Sequence, residues 1–565
     1  MTSRFLRRTL TVLCATTLLG GCGRIFGVAD GSGQLSPAAQ TLLKSIVHAA
    51  RLPDLQYPDF QNERTEVEQF YEPACDKLSW VWERRPSSQA QALIGLFKDA
   101  EKEGLNPADY DGPRWDSRLT AIHLEHASES DLVRFDLAVT ISAMRYVSDL
   151  HRGRVNPRKF HFDLEIDNTS FDLSDFLRQK LVDARDVDAA MRTVEPPFPA
   201  YRQTVEALRT YLDLVKEEDH SAPLPPAPES IKPGDSYIGT PRLEELLSLL
   251  GDLPRNQIGA NSDLTYSEPL VAAVKHFQQR HGLESTGIID AHTFKELQTP
   301  LDQRVLQLEL TLERWRWLPH RFEGPPIVVN IPEFRLYVTD DEYRPVFSMN
   351  VVVGRSFNHQ TPVFATQLKS VIFRPYWNVP VDIQREELLP ELQRDSRYLR
   401  AHSYEIVDAR GNVVSDDRVS EQMEQQLASG KLAIRQKPGQ DNSLGLVKFD
   451  MPNAYDIYMH DTPATQLFSH SRRDFSHGCI RVENPVELAK WVLRDKPEWD
   501  AERIGNAMHG DHTLRVTLNK PIPVLILYGT AVARKDGQVG FFDDIYGLDT
   551  LLGAAIAKGY PYQGN

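Results

Sequence analysis

The sequence predicts an α+β protein of several domains: a helical first half, a small helical module, and a mainly-β domain that carries the chemistry. Three observations predict it. The chain has 565 residues, more than a single hydrophobic core usually organises. Apolar residues recur at helical spacing from about 41 to 220 and again between 237 and 299. Beyond 301 they change to short runs and alternation without regular βα units, so an antiparallel or mixed sheet is expected rather than a doubly wound one. With 41% hydrophobic and 25% charged residues the composition is that of an ordinary globular protein. The formal net charge is -15 and there is no long basic run, which argues against nucleic acid as a partner.

The start reads as an export signal, residues 1–21. Arg4, Arg7 and Arg8 precede an apolar-to-small stretch, Thr9 to Gly21, that is too short to span a bilayer comfortably. It ends in Leu19-Gly20-Gly21-Cys22, which looks like a lipobox: cleavage before Cys22 leaves a thiol for lipidation and ties the protein to a membrane face. A plain signal peptide or an uncleaved apolar start are the alternatives. Gly23 follows, not an acidic residue resembling an inner-membrane retention signal, so an exported, periplasmic protein anchored to the outer membrane is expected. Residues 22–40, rich in Gly, Ser and Ala, read as a tether. With Cys14 lost and Cys22 lipidated, Cys75 and Cys479 remain, and an exported pair of thiols can form a disulfide.

From 41 to 220 the stripes are helical: Leu93, Leu96, Phe97 and Ala100 after a Ser87-Ser88 start, stopped by Gly104, then Val133, Leu137, Ile141 and Met144. Gly104-Leu105-Asn106-Pro107-Ala108-Asp109-Tyr110 and Gly153-Arg154-Val155-Asn156-Pro157 read as turns. No catalytic constellation stands out there. Five prolines (Pro223, Pro225, Pro226, Pro228, Pro233) make 221–236 a semi-rigid linker.

In 237–299, Ser267 is placed to cap a helix with Leu270, Val271, Val274 and Phe277 on its apolar face, stopped by Gly282. Asp290 is placed to cap a second, with Ile289 and Phe294 as a staple. His276, His281 and His292 match no metal-site spacing, so no metal is expected from them.

Between about 301 and 535, strands are expected at Ile327–Ile331, Leu336–Val338, the alternation Phe347, Met349, Val351, Val353 ending at Gly354, Val371–Phe373, Ile457–Met459 and Pro523–Val532. After Trp377-Asn378-Val379-Pro380 the sheet pattern breaks. Residues 381–441 are charged and partly helical, either an inserted unit or a solvated loop, and the pattern resumes at Asn442-Ser443-Leu444-Gly445. Residues 536–565 read as a tail without chemistry.

The chemistry gathers in Tyr458-Met459-His460-Asp461-Thr462 and Ser476-His477-Gly478-Cys479-Ile480-Arg481. A single Cys is most often a small buried hydrophobe or half a disulfide. Here its flanks are polar and glycine-hinged, unlike a core strand. A thiol attacks carbonyls as the thiolate and needs a base beside it; His460 is too far along the chain for a local contact, so the fold must bring the two together. Gly478 lets the backbone approach a ligand and aim its N–H at an oxyanion, and Arg481 suits a carboxylate. Asp461 is placed to orient His460 or to cap the loop. Trp377 and Tyr458 are candidates to line a cleft, or packing residues. Asn484, Pro485 and Glu487 open a helix with Leu488, Ala489, Val492 and Leu493 buried, whose dipole would favour a thiolate if it points inward.

His460, a spacer of 15 residues and then Ser-His-Gly-Cys-Ile-Arg resembles the signature of L,D-transpeptidases with a YkuD-type catalytic domain. The family often has Asn where this chain has Arg481; Arg looks like the multidomain YcbB-like branch. The resemblance implies a β-sandwich-like catalytic domain over 301–535 with 381–441 as a capping lid, and a helical scaffold domain over 41–220. The run from Ala273 to Leu283 and Thr286-Gly287-Ile288-Ile289-Asp290 resembles a three-helix peptidoglycan-binding module, either a wall binder or a spacer. Also implied are Cys479 as nucleophile, His460 as base, and His477 with the Gly478 and Cys479 amides at the oxyanion. The implied partner is peptidoglycan, as tetrapeptide donor and stem acceptor joined by a 3–3 cross-link, with no metal or organic cofactor. The same site with water gives an L,D-carboxypeptidase, and with another amine a protein-to-wall transferase; an inert wall-binding scaffold is the reading from a different class.

Overall fold

The computed structural model describes residues 35–562 except 75–76, 124–126, 165–170, 218–222, 227–229, 259–263 and 396. The expected signal, Cys14, Cys22 and Cys75 lie outside the described residues.

The helical domain is built around α1, Glu129–Arg152, which starts at a Ser128/Asp131 capping box. Val133, Leu137, Ile141 and Met144 lie in the core as their spacing requires, but α1 is buried on other faces too. Asp136 survives there because the Ser79 and Trp80 amides and the Tyr71 hydroxyl donate to it, at 2.9, 2.7 and 2.7 Å. Ser87 caps the helix Ser88–Lys98, and Gly104 follows a further turn at φ +70°. Beyond α1 the chain forms a two-residue strand, β1 (Phe162–Asp163), and helix α2 (Pro199–Glu217).

The small module has helices Thr240–Leu249, Glu268–Arg280 and Ala291–Leu297 around their own core, including Leu243, Leu247, Val274 and Phe277. Asp290 caps the third helix through the Thr293 amide at 2.7 Å. Ser267 stands at the N-cap of the second, but its hydroxyl makes no capping bond. Helix α3, Leu301–Arg316, then leaves the module and packs along α2.

The C-terminal domain has strands β2 (Ile327–Asn330), β3 (Arg335–Thr339), β4 (Pro345–Gly354), β5 (Val363–Phe373), β6 (Val447–Asp450), β7 (Met459–His460), β8 (Asp474–Ser476), β9 (Ile480–Val482) and β10 (Leu514–Leu527). The sheet is mixed, in the order β6-β7-β9-β4-β3-β2-β10-β5-β1, and β5 also pairs with β6, so it curls until its edges meet. β1 adds to the rim from the helical domain. The late strand begins and ends earlier than the expected Pro523–Val532. Its first half is mostly exposed and has a register shift before Ile522, so pairing with β5, rather than an apolar pattern, makes it a strand.

The insertion is a folded unit. Trp377–Asn378, Tyr404–Val407, Val413–Ser415 and Ala433–Gln436 form a four-stranded sheet over a separate core that includes Leu399, Ile406, Leu427 and Ile434. Buried Gln384 ties it internally: its amide donates to the Leu427 carbonyl at 2.8 Å and its oxygen accepts from the Ile434 amide at 2.7 Å. Helix α4, Pro485–Val492, buries Leu488, Ala489 and Val492, but Asn484 makes no side-chain cap.

Candidate active site

Strand register builds the site. His460 on β7 lies opposite Lys448 on β6 and Arg481 on β9, while Met459 lies opposite Phe449 and Ile480. Paired residues share a face, and alternate residues of a strand point the same way. One face therefore carries Phe449, Met459 and Ile480 into the core. The other carries Lys448, His460 and Arg481, with Tyr458 and Cys479 each two residues earlier. The Ile480 amide donating to the Tyr458 carbonyl at 3.0 Å continues the ladder to that point. The Tyr458 and His460 rings lie 5.8 Å apart, and Lys448 Nζ stands 3.8 Å above the Tyr458 ring.

His460 is buried, and its Nδ1 lies 2.5 Å from the Asp461 main-chain oxygen. A carbonyl only accepts, so Nδ1 carries the proton and Nε2 keeps its lone pair. Burial, then the charges of Arg481 and Lys448, push the imidazole pKa down to about 3. The Asp461 carboxylate does not orient His460: it accepts from the Leu446 and Thr462 amides, at 2.8 and 2.7 Å, and fixes the turn at Gly445.

Cys479 is a free, half-buried thiol whose Sγ lies 3.8 Å from the Asp456 carbonyl. Burial pushes the thiol pKa up, opposed by hydrogen bonds from the Tyr458 main chain and hydroxyl and by the charges of Lys448 and Arg481. The Tyr458 hydroxyl also meets the Trp377 side chain, so Trp377, Tyr458 and Cys479 are neighbours. Helix α4 begins at Pro485, beyond β9.

Arg481 lies on the same face, and its buried Nε has no hydrogen-bond partner. Burial and the neighbouring charge of Arg355 lower its pKa. His477 Nε2 contacts Glu387 Oε1 of the insertion at 2.6 Å, and its ring packs edge-on against His359 at 4.6 Å. Gly478 adopts φ +114°, the left-handed side that glycine tolerates. Its amide does not face the groove as expected, because it donates to Ser476 Oγ at 3.1 Å.

The sequence reading missed four supporting residues. Lys448 sits in an alternating strand, which signals an outward face but not whose neighbour it is. Glu387 lies on a π-helical turn, Gln384–Leu388, of the insertion. Thr361 Oγ1 donates to the Gly478 carbonyl at 2.7 Å and accepts from the Gly354 amide at 2.8 Å. Tyr546, in the tail read as having no chemistry, donates to the Gly354 carbonyl at 2.6 Å and accepts from the Thr361 amide at 3.2 Å. Among the histidines set aside as ligands, His292 comes together with Glu296 and Asp543, their donor atoms within 4.8 Å of one another. Lys295 already pairs with both carboxylates there, at 3.6 and 3.4 Å.

Three known families match segments of the chain: a scaffold domain over residues 65–208, a putative peptidoglycan binding domain over 241–297 and an L,D-transpeptidase catalytic domain over 325–521. A putative L,D-transpeptidase of Haemophilus influenzae is 34% identical over 250 residues, 44% of this chain and 49% of that protein. The chain thus spans about half the length of the curated relative it matches. An L,D-transpeptidase (Yku) structure from Stackebrandtia nassauensis is 14% identical over 54% of this chain and 97% of its own, with a TM-score of 0.23. One from Xylanimonas cellulosilytica is 15% identical over 54% and 100%, with a TM-score of 0.16. No helix among the described residues is long and apolar enough to cross a membrane.

Proposed function

We propose, from the match of residues 325–521 to an L,D-transpeptidase catalytic domain, that the protein cross-links peptidoglycan stems through a thioester on Cys479. His460 Nε2 takes the thiol proton as sulfur attacks the carbonyl of the L-centre of a tetrapeptide stem. Both groups rest neutral, the thiol pKa raised and the imidazole pKa lowered, so the proton moves as the S–C bond forms. The Cys479 amide donates to the oxyanion. Collapse breaks the C–N bond, and the imidazolium returns its proton to the departing D-Ala amine. The side-chain amine of a second stem then attacks the thioester, His460 takes its proton, and the thiolate leaves and is reprotonated. The product is a 3–3 cross-link.

The observation that carries this reading is the single sheet face holding Lys448, Tyr458, His460, Cys479 and Arg481. Arg481 Nε, buried without a partner, suits a stem carboxylate. Trp377 and Tyr458 flank the thiol as walls of the donor cleft. The insertion, joined to the catalytic loop through Glu387 and His477, acts as the lid that keeps water from the thioester. The order of scaffold, wall-binding module and catalytic domain supports the YcbB-like branch. Export and a lipid on Cys22 place the enzyme against the wall from the outer membrane.

Intact mass after incubation with a tetrapeptide stem tests the proposal. Wild type should release D-Ala and show a transient adduct on Cys479, and Cys479→Ala neither. Equal turnover by the Ala variant ends the nucleophile assignment. Added stem should give a cross-linked dimer; free tripeptide alone would make the enzyme a carboxypeptidase.

A further inference from the structure

Away from the thiol groove, a cavity of about 690 Å³ lies between the helical domain and the outward face of the catalytic sheet. Its walls are Phe198, Trp315, Leu318, Val328, Leu525 and Leu527, and they are mainly apolar. The cavity opens to solvent on one side, and a contiguous apolar wall left facing water marks a surface that binds something. The volume falls within the usual range of small-molecule sites, roughly 300–1,000 Å³.

Beside Arg314 the lining carries Glu333, Asp340, Arg344, Arg534 and Lys535. Asp340 pairs with Arg344, Glu333 accepts from the Tyr337 hydroxyl, and Arg534 and Lys535 are exposed. Arg314 is 7% exposed and lies between the Phe162 and Tyr528 rings, at 5.4 and 5.3 Å from their centroids. Its Nη1 is held by Asp549 Oδ1 at 2.5 Å, while Nε and Nη2 are buried with no acceptor. Those two nitrogens form one edge of the guanidinium, the two-pronged donor that fits a planar carboxylate. Among the described residues lining the cavity, no other side chain has a buried polar atom left unmatched. The site calls for one carboxylate and an otherwise apolar body.

We propose that this cavity binds a long-chain fatty acid, its carboxylate on Arg314 and its chain along the apolar walls. The ligand would bridge α2, α3 and β10, and so join the helical domain to the catalytic sheet at a distance from the thiol.

Calorimetric titration of palmitate into the full chain, below the concentration at which palmitate aggregates, tests this. One saturable site is expected. Affinity should fall about three- to fourfold for each methylene removed across a series of shorter acids. Hexadecanol should bind at least about tenfold more weakly, since an alcohol cannot use both prongs. Gln203→Trp, a partly buried position on α2 lining the cavity, should abolish binding while leaving the Arg314–Asp549 pair in place. Arg314→Gln should weaken palmitate at least tenfold and hexadecanol little. No saturable binding to folded wild type, equal affinity for hexadecanol, or undiminished binding by folded Gln203→Trp would each overturn the proposal.

Discussion

His460 keeps the lone pair that a base needs because its other nitrogen is committed to the Asp461 carbonyl and its surroundings disfavour charge. With its pKa down to about 3 and the thiol pKa above its usual range, neither group titrates between about pH 5 and 8. Acylation by a stem should therefore be flat in kcat/KM across that window, and an inflection near pH 6.5 would mean that His460 titrates as an ordinary imidazole. Stability carries the same signature. Between the unfolded value of about 6.5 and the folded value, the unfolded chain binds a proton that the folded chain refuses, so stability falls as pH drops, by at most about 1.4 kcal/mol per unit. Comparing wild type with His460→Gln in urea at pH 6.5 and pH 4.5 isolates this term, because other groups cancel. The wild type should lose more.

At the scale of elements, short strands position the reactive side chains and longer-range supports hold the loop. β7 is two residues long, yet its register between β6 and β9 sets which residues face the groove. The loop before Cys479 is held from two directions: Thr361 and Tyr546 grip the Gly478 carbonyl side, and Glu387 reaches His477 from the insertion. That last pair is half exposed on the Glu387 side, so its contribution is about 1 kcal/mol or less. Glu387→Gln should then lower kcat by no more than about fivefold. The fraction of thioester lost to water should rise as the lid loosens, read as the ratio of tripeptide to dimer. An unchanged ratio would mean the pair does not hold the lid.

On the scale of the whole molecule, the catalytic domain is bound to the helical domain by buried polar contacts as well as apolar ones. Arg154, in the Gly153–Pro157 turn, places its Nε 3.0 Å from Glu313 Oε2 on α3, and its amide and that of Val155 donate to the other oxygen at 2.5 and 3.2 Å. Gly153 is required there: at φ +81°, an added Cβ would stand 2.7 Å from Glu313 Oε1. Glu313→Ala removes the buried carboxylate that Arg154 and two main-chain amides share, so a loss of about 3–5 kcal/mol is expected in chemical denaturation. A loss below about 1 kcal/mol would mean water reaches the turn. The tail completes the strap: Tyr560 stacks under Arg145, its ring centroid 4.5 Å from the guanidinium carbon, and the Tyr562 hydroxyl donates to Asp109 at 2.5 Å.

The sequence by itself determined the local facts: helical stripes such as Val133 to Met144, the Asp290 cap, the change to strands after 301, and the neighbourhood of Cys479, since each rests on residues close along the chain. It left the 381–441 stretch open between a loop and a folded unit. It placed β10 too late and aimed the Gly478 amide at the groove. Only the tertiary structure decided that Lys448 and Arg481 flank His460, that Glu387 and Tyr546 support the loop before Cys479, and that Arg314 opens into an apolar cavity. Strand register and the packing of domains depend on contacts between distant residues, and one-dimensional patterning carries no record of which strand lies beside which.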